Sequence, residues 1–132
     1  MIQIHELRIG NYILINGTRQ QVNSISVGNE LPDTAMVEYN VDNLKEAEHC
    51  NSTTVQPIPL TNEILSSCGF EFHDHFKFWQ KKVEGGGIEM EIDKDYDVID
   101  FMRRPLVRRV SSFHQLQNIY FALKGRELKF LN

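Results

Sequence analysis

The chain has 132 residues, a formal net charge of −4, 41% apolar and 24% charged residues, which is ordinary for one soluble globular domain. The acidic balance argues against a protein that coats duplex DNA, and no apolar run approaches the roughly 18 residues of a membrane span. The start of the chain lacks the regions of a secretion signal and two cysteines form no disulfide framework, so a cytoplasmic location is expected.

Residues 1–45 predict a β-rich lobe. Three strand-like segments are separated by turn residues: 9–15, 18–25 and 35–39. Asn16-Gly17 between the first two segments is a strong hairpin signal, because both central residues of a type I′ turn need positive φ. Further turns are expected near residues 28–29 and 32–33. Short strands joined by tight turns predict a small SH3-like β-barrel or a curled sheet.

Residues 58–132 predict an α+β lobe, which follows a polar loop at residues 46–57. Thr61 is expected to cap a short helix that runs through Cys68 and ends at Gly69. An antiparallel meander follows, with strands at 76–83, 88–93 and 96–101. In the second strand Ile88, Met90 and Ile92 alternate with Glu89, Glu91 and Asp93, which predicts one buried and one solvated face. The whole chain is predicted to be a single α+β domain.

A closing helix is predicted after Ser112, which is expected to form a capping box with Gln115, and Gly125 is expected to end the helix. One apolar stripe is expected in the core: Phe113, Leu116, Ile119, Tyr120 and Leu123. Phe121 lies off this stripe, on a flank with three polar residues: His114, Gln117 and Asn118. An aromatic ring in such a setting can face a ligand, and it can equally pack against a strand or a second subunit.

No catalytic or metal-binding motif stands out. His73-Asp74-His75 has the right residue types for a divalent metal, but no third ligand stands at a telling distance, so a surface turn is expected. No serine or cysteine nucleophile lies in a recognisable motif, and no histidine is tied to one. We therefore expect a protein that is not an enzyme and that needs no cofactor or metal.

Charge is segregated late in the chain, since an acidic stretch at 89–100 precedes a basic stretch at 101–110. The basic stretch contains four arginines: Arg103, Arg104, Arg108 and Arg109. Guanidinium groups bind phosphates in a bidentate fork, and Trp79, Tyr96 or Phe121 could stack on a nucleobase. The alternative is that these arginines only neutralise the adjacent acidic strand, because exposed ion pairs are common and weak.

Three stretches carry a resemblance to a known group of proteins. They are Leu7-Arg8-Ile9-Gly10-Asn11-Tyr12, then Pro57-Ile58-Pro59-Leu60-Thr61 with Ile64-Leu65 and Cys68-Gly69-Phe70, and finally His114-Gln115-Leu116-Gln117-Asn118-Ile119-Tyr120-Phe121-Ala122-Leu123 with Gly125 and Glu127-Leu128. In these the chain resembles small, largely uncharacterised proteins carried by phages, prophages and mobile elements of Bacteroides-type bacteria. The opening motif is shared with many small SH3-like barrels. Lys124 stands where a small polar residue is expected, and residues 46–56 look like an insertion.

The resemblance implies a setting rather than an activity, because small accessory phage proteins often counter host defence, some by sequestering cyclic dinucleotide signals. The first hypothesis is a phage or prophage protein that sequesters a small anionic ligand such as a cyclic nucleotide, with a homo-oligomer expected. The four arginines would hold phosphate, Phe121 or Trp79 would stack on a base, and His114, Gln117 or Asn118 would read its edges. The alternatives are an interaction module that inhibits a host protein, and a single-stranded nucleic-acid binder.

Overall fold

The computed structural model describes residues 2, 6–26, 36–40, 48–51 and 55–131. These residues form two antiparallel five-stranded sheets and two helices, which confirms the predicted α+β class. By its contacts the chain divides into two compact units, Met1–Ile58 with Phe113–Asn118 and Pro59–Ser112 with Ile119–Asn132. The organisation as a single domain stays a prediction.

The sheet of the first unit contains five short strands. They are β1 (Tyr12–Ile15), β2 (Thr18–Ser26), β3 (Met36–Asn40), β4 (Glu48–Asn51) and β5 (Val55–Gln56). The strand order is β4-β3-β2-β1-β5, so four strands form a meander and the fifth returns to pair with the first. Among the described residues the sheet is open, with β4 and β5 at its edges, which favours the predicted sheet over the predicted closed barrel.

The predicted hairpin is present at the start of this sheet. Asn16 and Gly17 have φ values of 52° and 78°, and Ile15 pairs with Thr18 across the turn. Inward-facing side chains form the core of the first unit: Ile2, Ile13, Ile15, Val22, Val37, Tyr39 and Val55. Burial alternates along β1, as expected for a strand with one face on a core.

The prediction of a loop over residues 46–57 is wrong where the structure describes it, because Glu48–Asn51 pairs with β3 and Val55–Gln56 pairs with β1. These strands were missed because their sequence is polar, and edge strands need no apolar alternation when a neighbour supplies the hydrogen-bond partners. The turns expected near 28–29 and 32–33 lie outside the described residues.

The second unit contains a short helix and the second sheet. The elements are α1 (Asn62–Ser67), β6 (Phe70–His73), β7 (Phe78–Lys82), β8 (Ile88–Asp93), β9 (Val98–Ile99) and β10 (Pro105–Val107). The strand order is β10-β9-β8-β7-β6, a simple meander. The Thr61 cap is confirmed, since its Oγ1 accepts a hydrogen bond from the Ile64 N–H at 3.2 Å. Two strands were not predicted, β6 and β10.

The alternation predicted for β8 is wrong at Glu89. Ile88 is 51% exposed and Glu89 is 9% exposed, which reverses the expected pattern. The pairing register with β7 shifts between Lys81 and Lys82, because Lys81 lies opposite Met90 while Lys82 lies opposite Ile88. Glu89 is therefore the extra residue of a β-bulge, and a bulge turns a side chain toward the other face of a sheet.

The closing helix α2 is Phe113–Lys124, and Gly125 ends it in the left-handed conformation at φ 71°, as predicted. The predicted cap at its start is wrong. Ser112 Oγ is buried and makes no hydrogen bond to the described part of the chain. The predicted core stripe holds for Phe113, Leu116 and Tyr120, whereas Leu123 is 51% exposed.

Candidate functional site

The predicted anion-binding arginines flank β10 on both sides, where residues 101–109 are all exposed. Arg103 Cζ lies 4.6 Å from the centroid of the Phe76 ring and 5.3 Å from that of Phe78. Arg104 Nε lies 3.4 Å from Asp100 Oδ2, with 74% of the Arg104 side chain exposed. Arg103 thus lies beside aromatic rings, as the ligand hypothesis expects, while Arg104 pairs with an acid, as the alternative expects.

The neighbouring aspartates shape the loops around β9. Asp93 Oδ1 accepts hydrogen bonds from two backbone N–H groups in the following turn, at 2.9 and 3.0 Å. Asp97 Oδ1 accepts one from the backbone N–H of Arg109 at 2.7 Å. Asp100 Oδ1 accepts two at 2.9 Å, and the one from the Arg104 N–H contributes most to lowering the pKa of Asp100. These acids therefore stabilise turns, a role that the expectation of a solvated strand face did not include.

Arg103 borders a surface hollow of about 320 Å³ in the second unit, here called the Arg103 hollow. Its lining includes the Phe76 and Phe78 rings. Three cations line it: Lys77, Lys94 and Arg103. Two carboxylates line it as well: Asp93 and Asp95. The excess of positive charge is therefore small, and Arg103 is the group that combines a guanidinium with an aromatic neighbour.

The aromatic residues proposed as stacking platforms differ in exposure. Trp79 is only 7% exposed and its ring centroid lies 5.2 Å from that of Phe72, so the ring has little free surface for a base, and its role as a stacking platform stays a prediction. Phe121 is 41% exposed on the second half of α2. The Tyr96 hydroxyl donates to Asn62 Oδ1 at 2.8 Å.

The polar flank of α2 is largely buried. His114 is 2% exposed and Gln117 is 0% exposed. Gln117 Oε1 accepts from the Tyr12 N–H at 2.8 Å, and Gln117 Nε2 donates to the Gly10 carbonyl at 3.2 Å. The amide of Gln117 is therefore already used within the protein, and the His114 ring is buried, so neither side chain is exposed to a ligand here. Their roles in reading a base stay predictions.

Asn118 continues this network in the first unit. Its Nδ2 donates to the Glu6 carbonyl at 2.8 Å. Its Oδ1 accepts from Asn11 Nδ2 at 2.9 Å and from Arg8 Nε at 3.1 Å. The opening motif and the closing motif of the sequence are therefore hydrogen-bond partners, and their polar residues hold the first segment against the helix.

A buried cluster of charge was missed by the sequence analysis. The Tyr120 hydroxyl and Arg126 Nη2 both donate to Glu89 Oε1, and the Glu89 side chain is only 6% exposed. Burial opposes ionisation of Glu89, but the hydrogen bonds from Tyr120 and Arg126 outweigh it and lower the pKa of the carboxyl. Burial and the bond to Glu89 raise the pKa of Tyr120 to about 12. The carboxylate is thus charged and the phenol neutral near pH 7, which makes neither group a good proton-transfer catalyst there.

The second unit also has an exposed apolar surface. Ile88, Phe101, Leu106 and Leu123 are 51%, 85%, 55% and 51% exposed. All four line one open hollow of about 430 Å³, here called the apolar hollow. Soluble proteins rarely expose several large apolar side chains around one depression unless something binds there.

The fold and these surfaces define an α+β protein that has an apolar hollow and a basic edge on its second unit. Comparison with protein-family models, with curated proteins and with solved structures finds no match to this chain. The resemblance to phage and mobile-element proteins therefore stays a prediction.

Among the described residues no group of three or more His, Cys, Asp or Glu side chains could hold a metal ion, and no helix there is long and apolar enough to cross a membrane.

Proposed function

We propose that the chain is a protein-interaction module, a phage or prophage protein that inhibits a host protein in the bacterial cytoplasm by binding it. The observation that carries this proposal is the apolar hollow, where four large apolar side chains are at least half exposed around one depression. Burying a fully exposed side chain of this size contributes about 1.5–3 kcal/mol, and these four retain half or more of that exposure, so the set can contribute several kcal/mol to a complex. The phage setting rests on the sequence resemblance.

The chemistry of the described residues supports binding rather than catalysis. The buried Glu89 carboxylate at the lining of the apolar hollow already has two donors, Tyr120 and Arg126. Interface cores are rich in large apolar side chains and poor in unpaired charges, so exposed apolar side chains around a carboxylate that has its own donors fit a recognition surface. Phe101, the most exposed of the set, is the expected anchor.

The test is capture of a partner from host lysate with the immobilised full chain. We expect one stoichiometric protein, retained in excess cyclic dinucleotide, and lost from the double variant Phe101→Ser, Leu123→Ser. The matched control is Phe72→Ser, an exposed aromatic residue of β6 that does not line the apolar hollow, which should keep the partner. Unfolding curves confirm that each variant is folded. Retention of the partner by the double variant would refute the proposal.

A second candidate function is sequestration of a small anionic ligand such as a cyclic dinucleotide immune signal. The observation that favours it is the position of the Arg103 guanidinium over the Phe76 ring, at the Arg103 hollow. An arginine can fork onto a phosphate while a half-exposed ring receives the base. A homo-oligomer belongs to this proposal, because a second subunit would supply the cations that one hollow lacks.

Isothermal titration against a panel of cyclic dinucleotides tests the second candidate. Binding that falls at least tenfold in Arg103→Ala, and not in Arg19→Ala on β2, is the expected result. Tenfold corresponds to about 1.4 kcal/mol, close to the lower limit for a hydrogen bond to a charged group. Absence of heat with every member of the panel would reject this second candidate and leave the interaction module as the one proposed function.

A further inference from the structure

We infer that β10 is a docking edge for an extended segment of the partner protein, one whose apolar centre is flanked by acidic residues. This inference rests on the proposed function and names the chemistry of the partner. The segment would add to the sheet as a strand beside β10, so that backbone hydrogen bonds supply affinity and side chains supply specificity.

Among the described strands, none pairs with the outer side of β10. β10 is the last strand in the order β10-β9-β8-β7-β6, and its inner neighbour β9 is its partner in the sheet. Pro105, Leu106 and Val107 are all exposed, with Leu106 at 55%. Leu106 also lines the apolar hollow, so a strand added here would continue into the surface that carries the proposed function.

The charge pattern around β10 is symmetric about Leu106. Arg104 and Arg108 lie two residues to either side, and Arg103 and Arg109 three residues to either side. Arg103 and Arg109 have φ values of 62° and 51°, so the chain leaves the extended conformation at both ends. The extended run is therefore short, with an apolar centre and an arginine at each end.

A second copy of this chain is a poor occupant of the edge. Antiparallel pairing of two β10 strands about a two-fold axis, in the register that joins Pro105 to Val107, would place Arg104 of each copy opposite Arg108 of the other. Like charges directly opposite each other destabilise a pair of strands, and here two such pairs would form, although Asp100 Oδ2 at 3.4 Å from Arg104 Nε reduces the repulsion in each. The same geometry favours a partner with Asp or Glu opposite each arginine.

Protection of the edge is the competing explanation of the same residues. Charged side chains, proline and β-bulges on an edge strand often prevent indiscriminate pairing. Pro105 removes one N–H donor from β10, and Leu106 is the extra residue of a bulge, because Pro105 lies opposite Ile99 while Val107 lies opposite Val98. An edge that is only protected would bind neither an acidic nor a basic strand, whereas a docking edge would select the acidic one.

The experiment uses two labelled synthetic peptides as probes with the full chain, Glu-Glu-Val-Tyr-Val-Glu-Glu and Lys-Lys-Val-Tyr-Val-Lys-Lys. Fluorescence anisotropy at low salt should show the acidic peptide binding at least about tenfold more tightly, with the difference shrinking at high salt. The variant Arg104→Glu, Arg108→Glu should reverse the preference. The control Lys82→Glu, Lys129→Glu makes the same change in net charge away from β10 and should keep the acidic preference.

Hydrogen exchange separates strand addition from general attraction between charges. At least one of the backbone amides of Leu106 and Val107 should exchange more slowly, by about fivefold or more, with the acidic peptide bound, because an added strand accepts a hydrogen bond from β10.

Equal binding of both peptides, equal effects of the two charge variants, or unchanged amide exchange would overturn the inference. If the acidic peptide binds more tightly but the double variant of the apolar hollow still captures the lysate partner, the proposed function is wrong and the docking edge stands. If the double variant of the apolar hollow loses the lysate partner but both peptides bind equally, the docking edge is wrong and the proposed function stands.

Discussion

At the scale of single residues, the buried Glu89 carboxylate shows how one side chain can depend on a few donors. The β-bulge turns this side chain inward, and Tyr120 and Arg126 then donate to the same oxygen. A charged group that is 6% exposed needs such donors, because an unpaired buried charge is costly. The bulge, the phenol and the guanidinium therefore form one structural unit.

We predict that Tyr120→Phe lowers the free energy of unfolding by about 1–3 kcal/mol, because the buried Glu89 carboxylate loses one donor. Tyr96→Phe is the matched control, since the Tyr96 hydroxyl donates to Asn62 at an exposed position, and it should cost less than about 0.5 kcal/mol. Urea denaturation of the two variants measures both values. Equal losses in the two variants would contradict the special role of the buried hydroxyl.

His114 should make stability depend on pH. Its ring is 2% exposed, no hydrogen bond to either ring nitrogen forms within the described residues, and Glu6 Oε1 lies 3.6 Å from Nε2. Burial lowers the pKa of His114 below its ordinary value of 6.5, although the nearby Glu6 opposes this in part. Below pH 6.5 the unfolded chain thus takes up a proton that the folded chain does not.

Stability from the neutral His114 ring should therefore be fully present above pH 6.5 and fall as the pH is lowered from 7 to 5, by at most about 1.4 kcal/mol per pH unit. His114→Leu cannot titrate, so the difference in unfolding free energy between wild type and this variant should shift in favour of the variant at pH 5. His75→Leu, on the exposed turn after β6, is the control. A difference that is the same at pH 7 and pH 5 would show that His114 takes no part.

At the scale of elements, the two helices start differently although both have a good capping residue. Thr61 Oγ1 caps α1, while Ser112 Oγ is buried without a hydrogen bond in the described part of the chain. We predict that Thr61→Ala costs about 0.5–2 kcal/mol of stability, as loss of an N-cap does. Ser112→Ala should cost nothing or stabilise slightly, because it removes an unsatisfied buried hydroxyl.

Thermal unfolding of these two alanine variants gives the comparison directly, since both changes remove one hydroxyl at the start of a helix. The result that would contradict the structure is a larger loss in Ser112→Ala than in Thr61→Ala, because it would mean that the Ser112 hydroxyl has a partner in solution.

Elements with local signals were predictable from the sequence, and features that depend on distant partners were not. The Asn16-Gly17 hairpin, the Thr61 cap and the Gly125 helix end follow from backbone preferences of one or two residues. The bulge at Glu89 depends on how β8 pairs with β7, and the sequence of β8 alone does not encode that pairing. The strands within 46–57 depend on pairing with β1 and β3.

The candidate site was predicted only in part, for the same reason. The sequence indicated Arg103 as a candidate, but the rings that its guanidinium lies over, Phe76 and Phe78, are not among the aromatic residues named from the sequence. The roles of Gln117 and Asn118 could not be read from the helix alone, because their partners lie 105–112 residues earlier in the chain.

At the scale of the whole molecule, the net charge is negative but one segment is strongly basic. The chain carries 18 acidic and 14 basic residues, yet residues 101–110 contain four arginines and no acid. This concentration lies at the exposed edge strand of the second sheet. An edge strand with exposed Leu106 and Val107 would otherwise be a site of self-association, so the arginines should influence the oligomeric state.

We therefore predict that Arg104→Thr, Arg108→Thr self-associates more strongly than wild type, because removing the like charges permits two β10 strands to pair. Analytical ultracentrifugation over a range of concentrations should show the average mass of the variant rising where that of wild type does not. The control Lys82→Thr, Lys129→Thr removes the same charge elsewhere and should behave as wild type. High salt should raise the average mass of wild type toward that of the variant, because salt screens the repulsion between the arginines. If both variants match wild type at every concentration, the arginines of β10 do not guard the edge against a second copy, and the argument that excludes such a copy as its occupant loses its support.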